Sequence, residues 1–190
     1  MRLMEEKILR EGEVLPGDIL KVGSFLNQNI DTEFLGQMAE EIARLFADKG
    51  VTKILTIEAS GIAIAAAAGM SMGVPVLFAK KHRTSNVDGS VYSSVVHSFT
   101  HNEDYNVVVS RDYLNADDRV LLVDDFLASG NALRGLIDLC NQAGATLVGV
   151  AVAVEKCFSG AGDVFRAQGI QVESLAAIES MSEDEIVFRA

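Results

Sequence analysis

The chain lacks tryptophan altogether and has only two prolines, two cysteines, three histidines and 6% aromatic residues among its 190 positions. So little proline, with 49% hydrophobic and 23% charged residues, excludes a linker-rich or disordered chain. The cysteines, Cys140 and Cys157, form no C-x-x-C pair, so neither a disulfide framework nor a cysteine zinc site is expected, and both thiols read as reduced and buried. Basic residues are outnumbered, 16 against 27 acids, for a net charge of -11 and a pI near 4.6. That balance argues against a nucleic-acid partner, because sequence-independent affinity for nucleic acids comes from Lys and Arg neutralising phosphates. Long hydrophobic runs are also missing. The longest, residues 62–70, is far short of the roughly 18–20 residues that span a bilayer, so no membrane association is expected. Met1-Arg2-Leu3-Met4-Glu5-Glu6-Lys7 brings in acids where a signal peptide would be apolar, which favours the cytoplasm.

What remains reads as one acidic domain over residues 1–190, since domains commonly hold about 100–200 residues. Phe34, Leu35, Met38, Ile42, Leu45 and Phe46 recur at helical spacing, with Asp31 or Thr32 as cap and Gly50 as stop. Strands are predicted at 51–57 and 74–78 around a helix at 61–72, then at 107–110 and 119–123. A helix at 131–143, a strand at 146–154, a short helix at 161–167 and strands at 172–176 and 186–188 complete the chain. Residues 80–106 are polar, basic and small, with an alternating stretch at 91–96, and read as a long flexible hairpin. Alternating strands and helices predict an α/β fold, a mainly parallel central sheet with helices on both faces. Ligands collect at the carboxyl ends of such strands.

The segment Val120-Leu121-Leu122-Val123-Asp124-Asp125-Phe126-Leu127-Ala128-Ser129-Gly130-Asn131-Ala132 ends a buried strand in two carboxylates and then turns into a helix. Ionised acids are costly inside a core, so both are expected at the strand's rim. The small residues after them open a turn whose backbone N–H groups and helix dipole can cradle a phosphate. Taken alone, the pattern fits a capped turn beside a solvated Asp pair equally well. Glu58-Ala59-Ser60-Gly61 ends another strand at another helix start and could hold a second anion. Lys80-Lys81-His82-Arg83 is the densest basic run and opens the 80–106 segment. His97 and His101 are four apart, but in a strand or loop context rather than on a helix, so no zinc site is expected. The one Gly-x-Gly, at Gly160-Ala161-Gly162, lacks the third glycine of a dinucleotide fingerprint.

The Val120–Ala132 segment closely resembles the thirteen-residue signature of the type I phosphoribosyltransferases, and its Asp-Asp-Phe-Leu-Ala form resembles the family's xanthine-using branch. The resemblance extends over nearly the whole chain. It implies the family's fold, with a small base-covering hood from about 1–35 and 155–190. It implies transfer of a 5-phosphoribosyl group from phosphoribosyl pyrophosphate (PRPP) to xanthine in purine salvage, with Mg2+ carried by PRPP rather than by direct protein ligands, in a homodimer. By the same resemblance Asp124 and Asp125 hold the ribose hydroxyls at the reacting carbon, and Ala128, Ser129, Gly130, Asn131 and Ala132 wrap the 5′-phosphate. Ala59, Ser60, Gly61 and Lys81 bind pyrophosphate, and Leu20, Asn27 and Lys156 contact the purine. Many members have a Thr-Thr-Gly-x-Thr loop where this chain has Ala128-Ser129-Gly130-Asn131-Ala132, so two hydroxyls are missing while the backbone nest is kept. Lys156 has only donors and would prefer an oxopurine carbonyl, whereas Asn27 could donate or accept. Guanine, hypoxanthine or adenine as acceptor, or a PRPP-sensing regulator on the same fold, are the competing expectations.

Overall fold

A computed structural model of the chain describes residues 1–81, 90–98 and 103–189. Helix α1 (Arg2–Glu11) leads into a small antiparallel hairpin, β1 (Glu13–Leu15) and β2 (Ile19–Lys21), and then a π-helical turn at Gly23–Asn27. Helix α2 (Thr32–Leu45), β3 (Lys53–Ile57), α3 (Gly61–Met72) and β4 (Val76–Ala79) follow. A second hairpin, β5 (Val91–Ser98) and β6 (Glu103–Ser110), precedes β7 (Arg119–Leu127), α4 (Asn131–Ala143) and β8 (Thr146–Lys156). Helix α5 (Ala161–Ala167), β9 (Val172–Met181) and β10 (Ile186–Phe188) end the chain.

Six strands form the central sheet in the order β10-β9-β8-β7-β3-β4, parallel throughout except for the β9–β10 edge pair. Burial on both faces follows the two-residue period of β7. Leu121 and Val123 pack with Met38, Ile42 and Ile64 of α2 and α3, whereas Val120 and Leu122 pack with Leu133 and Leu136 of α4. Cutting Leu121 to Ala would cost about 2–5 kcal/mol in lost transfer energy and residual cavity. Asp31 is the cap of α2, its Oδ1 accepting from the Phe34 N–H at 3.1 Å, and Gly50 ends the following turn in a left-handed conformation.

The structure departs from the sequence expectations in several places. Residues 107–110 form the end of β6 and pair antiparallel with β5, meeting the central sheet through an isolated bridge from Val108 to Lys80 just past β4. The strand predicted at 74–78 lies at Val76–Ala79 because Pro75 has no N–H to give the ladder; its carbonyl accepts from Ile54 N–H at 3.0 Å. The strand predicted at 119–123 runs on to Leu127 and therefore carries both acids, Asp124 pairing in register with Val152. The strand predicted at 172–176 continues to Met181. The β1–β2 hairpin, three residues a side, is too short to show an alternation. No helix among the described residues is long and apolar enough to cross a membrane.

Candidate functional site

Three strand ends meet at one cavity of about 200 Å³. The β3–α3 turn contributes Ala59, Ser60 and Gly61, the end of β4 contributes Lys81, and β7 with the start of α4 contributes Asp124, Asp125, Phe126 and Ala132. Parallel strands 3 and 7 are neighbours, so the turns that follow them fall side by side. Of the residues singled out in the sequence, this cavity gathers seven.

The turns are shaped by local hydrogen bonds. The peptide between Glu58 and Ala59 is cis, and Glu58 Oε1 accepts from Lys81 N–H at 2.7 Å, tying the end of β4 to the end of β3. Lys81 Nζ lies 5.4 Å from the centroid of the Tyr105 ring, a cation–π contact with the second hairpin. Gly61 is obligatory by proximity: a Cβ there would stand 2.3 Å from Thr56 Oγ1 and 2.9 Å from Asp124 Oδ1. Thr56 Oγ1 itself is buried and has no partner among the described residues.

The two acids differ in environment. Asp124 is only 4% exposed, so it lies inside the rim where the sequence argument put it. Burial and the neighbouring Asp125 charge raise its carboxyl well above the ordinary carboxylate range. Its Oδ1 accepts from Asp125 N–H at 3.0 Å, and Asp125 Oδ1 accepts from Phe126 N–H at 2.9 Å. Each carboxylate is thus oriented by the amide that follows it, and the two side chains also interact with one another. Burial, with Asp124 nearby, also raises the Tyr105 phenol.

Gly130 opens α4 at φ +78, where a Cβ would also meet Ala161 at 2.9 Å. The Asn131 side chain is turned away from the turn's mouth: Nδ2 donates to His97 O at 3.0 Å and Oδ1 accepts from Arg134 Nη1 at 3.0 Å. Only its backbone N–H remains for an anion. Ala128, Ser129, Gly130 and Asn131 stand at the start of α4 beside the cavity and do not line it.

Asn27 lines an adjoining cleft of about 140 Å³ that shares Ala59 and Ser60 with the cavity. Leu20 is 6% exposed and borders a different, larger hollow on the other side of Asn27. Lys156, at the end of β8, donates from Nζ to Asp18 O at 2.6 Å and lies 5.7 Å from the Phe126 ring centroid. Burial lowers its pKa. His82 and Arg83 of the basic run, and His101, lie outside the described residues. His97 Nδ1 lies 2.7 Å from Asp104 Oδ1. Burial pushes the thiols of Cys140 and Cys157 up to about 12 and about 11.

Sequence reasoning passed over Thr56, Tyr105 and Phe126. Phe126 was inside the signature and could have been found as the aromatic next to the acids. Tyr105 carries no local signal, because only the folding of the hairpin brings it to Lys81.

The Phosphoribosyl transferase domain family model matches residues 28–164. A xanthine phosphoribosyltransferase of Bifidobacterium longum subsp. infantis is 53% identical, covering 100% of both chains, and one of Moorella thermoacetica is 51% identical over 99% of this chain and 96% of its own. The fold is similar to that of an adenine phosphoribosyl transferase from Trypanosoma brucei solved with AMP, pyrophosphate and ribose-5-phosphate (TM-score 0.75, 19% identity, 92% and 79% coverage). An APRTase from Giardia lamblia complexed with 9-deazaadenine superposes with a TM-score of 0.79 at 19% identity, covering 93% and 98%. With the acids, the Ala59-Ser60-Gly61 turn and Lys81 around one cavity of the type I fold, this chain belongs to the phosphoribosyltransferase family.

Proposed function

We propose that the protein transfers the 5-phosphoribosyl group of PRPP to an imidazole nitrogen of xanthine, giving xanthosine 5′-monophosphate and pyrophosphate, in purine salvage. The observation that carries the PRPP chemistry is the single cavity lined by Asp124, Asp125, the Ala59-Ser60-Gly61 turn and Lys81. The choice of xanthine rests on relatives of that name, about half identical over the full chain.

In this reading the bond from the anomeric carbon to pyrophosphate breaks with its electron pair leaving on the pyrophosphate, and the purine nitrogen supplies the new bond and releases its proton. Positive charge gathers on the ribose ring as the bond breaks, and fixed acceptors beside it stabilise that state more than the ground state. Asp124 and Asp125, oriented by the amides that follow them, accept from the ribose hydroxyls. The Ala59, Ser60 and Gly61 turn and Lys81 hold the departing pyrophosphate; the Ala128, Ser129, Gly130, Asn131 and Ala132 turn holds the 5′-phosphate mainly through backbone N–H groups. Mg2+ brought in on PRPP would add positive charge at the pyrophosphate. The oxygen-rich acidic wall of the cavity suits a hard, hydrated cation without a dedicated protein cage.

The purine stacks by Phe126, whose ring already faces Lys156, and the Lys156 ammonium donates to a ring carbonyl. Asn27 reads another edge across the shared Ala59–Ser60 wall, and Leu20 backs the hood from its buried side. In this assignment α1, the β1–β2 hairpin and the chain from 155 onward form that hood, and the protein works as a cytoplasmic homodimer; of the flexible loop expected at 80–106, residues 91–98 and 103–106 belong to the β5–β6 hairpin, and 82–89 and 99–102 lie outside the described residues. Steady-state assays with PRPP, Mg2+ and each of xanthine, guanine, hypoxanthine and adenine test the reading. Xanthosine monophosphate as the fastest product is expected. Preference for another purine overturns the base assignment, and no turnover with any of them overturns the function.

A further inference from the structure

Arg134 lies in the first turn of α4, where the aligned peptide dipoles already place positive potential. A cation at that end of a helix is held against the dipole unless an anion lies between them. The fold nevertheless fixes this side chain in place. Nη1 donates to Ser129 O at 2.8 Å and to Asn131 Oδ1 at 3.0 Å, and the guanidinium carbon stands 5.4 Å from the Phe165 ring centroid of α5. No carboxylate among the described residues pairs with it. Asp138, one turn further on, instead accepts from Gln142 Nε2 at 2.9 Å. Arg111 and Arg119 also bond backbone carbonyls without an acid partner among the described residues, but of the three only the exposed Arg134 sits at the start of an α-helix. Its Nε and Nη2 take no part in the bonds to the turn.

The turn it grips is short of other donors. Ala128 and Ala132 carry no hydroxyl, and the Asn131 amide is occupied at both ends by His97 O and Arg134. A phosphate dianion seated on the turn would therefore meet backbone N–H groups, Ser129 and one neighbouring guanidinium. Guanidinium is the side chain best matched to phosphate oxygens, because two of its N–H groups can donate in parallel.

We propose that Arg134 binds the 5′-phosphate of PRPP, its free guanidinium nitrogens supplying the charge that the turn's side chains do not. This rests on the turn at residues 128–132 being the 5′-phosphate cradle, as read above. The Nη1 bonds to Ser129 and Asn131 then orient the group, and the bound phosphate screens it from the helix dipole.

Arg134→Gln and Arg134→Lys separate charge from a purely structural grip, because Gln keeps a donor for Ser129 O without charge and Lys keeps charge without the fork. Each is assayed for PRPP kinetics, and for calorimetric binding of ribose 5-phosphate and, separately, pyrophosphate. Arg134→Gln should raise the KM for PRPP and weaken ribose 5-phosphate about tenfold, the size of one charge-assisted contact, with most of the loss in KM rather than kcat. Pyrophosphate binding should change less than about twofold, and Arg134→Lys should recover part of the loss. Equal weakening of both probes, equal behaviour of the two variants, or wild-type affinity in Arg134→Gln overturns the assignment. If the wild type binds ribose 5-phosphate and Arg134→Gln loses it, yet PRPP is never turned over, Arg134 keeps its role and the transferase reading fails. If the wild type does not bind ribose 5-phosphate, both fall.

Discussion

Asp124, assigned above to the ribose hydroxyls, shows how a site residue of that kind can weaken the fold that carries it. Its carboxyl is 4% exposed and beside Asp125, and its pKa rises accordingly above the ordinary 3.8. A carboxyl whose folded pKa exceeds its unfolded one binds its proton more tightly in the native state. That share of stability is full below about pH 3.8 and is lost as pH climbs through the folded value. Asp124→Asn keeps the shape and removes the ionisation, so it should raise Tm at neutral pH while lowering kcat/KM by about 100-fold or more, since an amide is a poorer acceptor for a ribose hydroxyl near a developing cation. Thermal unfolding across pH checks the first part: the gain in Tm should shrink toward acid. An Asn variant that is less stable at pH 7–8, or fully active, contradicts the account.

At the scale of elements, the end of β8 joins two neighbourhoods. Glu155, 1% exposed, receives Arg166 through Nη1 at 2.8 Å and Nη2 at 2.6 Å and also accepts from the Ser174 hydroxyl, so β8, α5 and β9 are clamped at one carboxylate. Burial pushes its pKa up, but Arg166 and Ser174 outweigh that and hold it below the usual glutamate value. The clamp's stabilisation is present above the unfolded pKa near 4.5 and is lost as pH falls through the folded value. Glu155→Gln leaves a guanidinium facing an amide, and urea denaturation at pH 7 should show a loss of about 3 kcal/mol. The next residue, Lys156, reaches the β1–β2 turn at Asp18 O and faces Phe126. Lys156→Ala should therefore raise the KM for xanthine roughly tenfold or more while moving the KM for PRPP less than about twofold, measurable by varying each substrate in turn.

The elements themselves were unevenly legible in sequence. Helices 61–72 and 131–143 appear at the expected bounds, because an alanine-rich run in the first, a helical apolar period in the second and a glycine at the end of each are local signals. The extension of β7 through two aspartates was not legible. Apolarity stops at Val123, but the ladder continues because β8 runs alongside as far as Glu155. In the same way the 107–110 stretch reads as a core strand by composition, and only its pairing with β5 assigns it to the hairpin.

For the whole molecule, net charge -11 and a pI near 4.6 work against general affinity for nucleic acids, while the proposed site would bind anions locally. The two needs coexist because the proposed phosphate contacts are backbone N–H groups at two helix starts plus Lys81 and Arg134, all short-range within a Debye length of about 8–10 Å. Assembly is a property of the same scale. As a homodimer the protein should elute and scatter light at twice the 20.4 kDa chain mass at micromolar concentration, and a mass equal to one chain would refute the dimer.

By itself the sequence determined the α/β class, the buried central strand and the two glycine-containing turns, because each is written in contiguous residues of fixed spacing. It also carried the resemblance to the phosphoribosyltransferases, on one thirteen-residue segment and its neighbours. Tertiary structure decided how far Asp124 is buried, that Tyr105 backs Lys81, that Asn131 turns its amide to His97, and that Arg134 has no acid partner among the described residues. Those outcomes depend on which strands become neighbours and which side chains then compete for the same partner, and no local pattern encodes that competition.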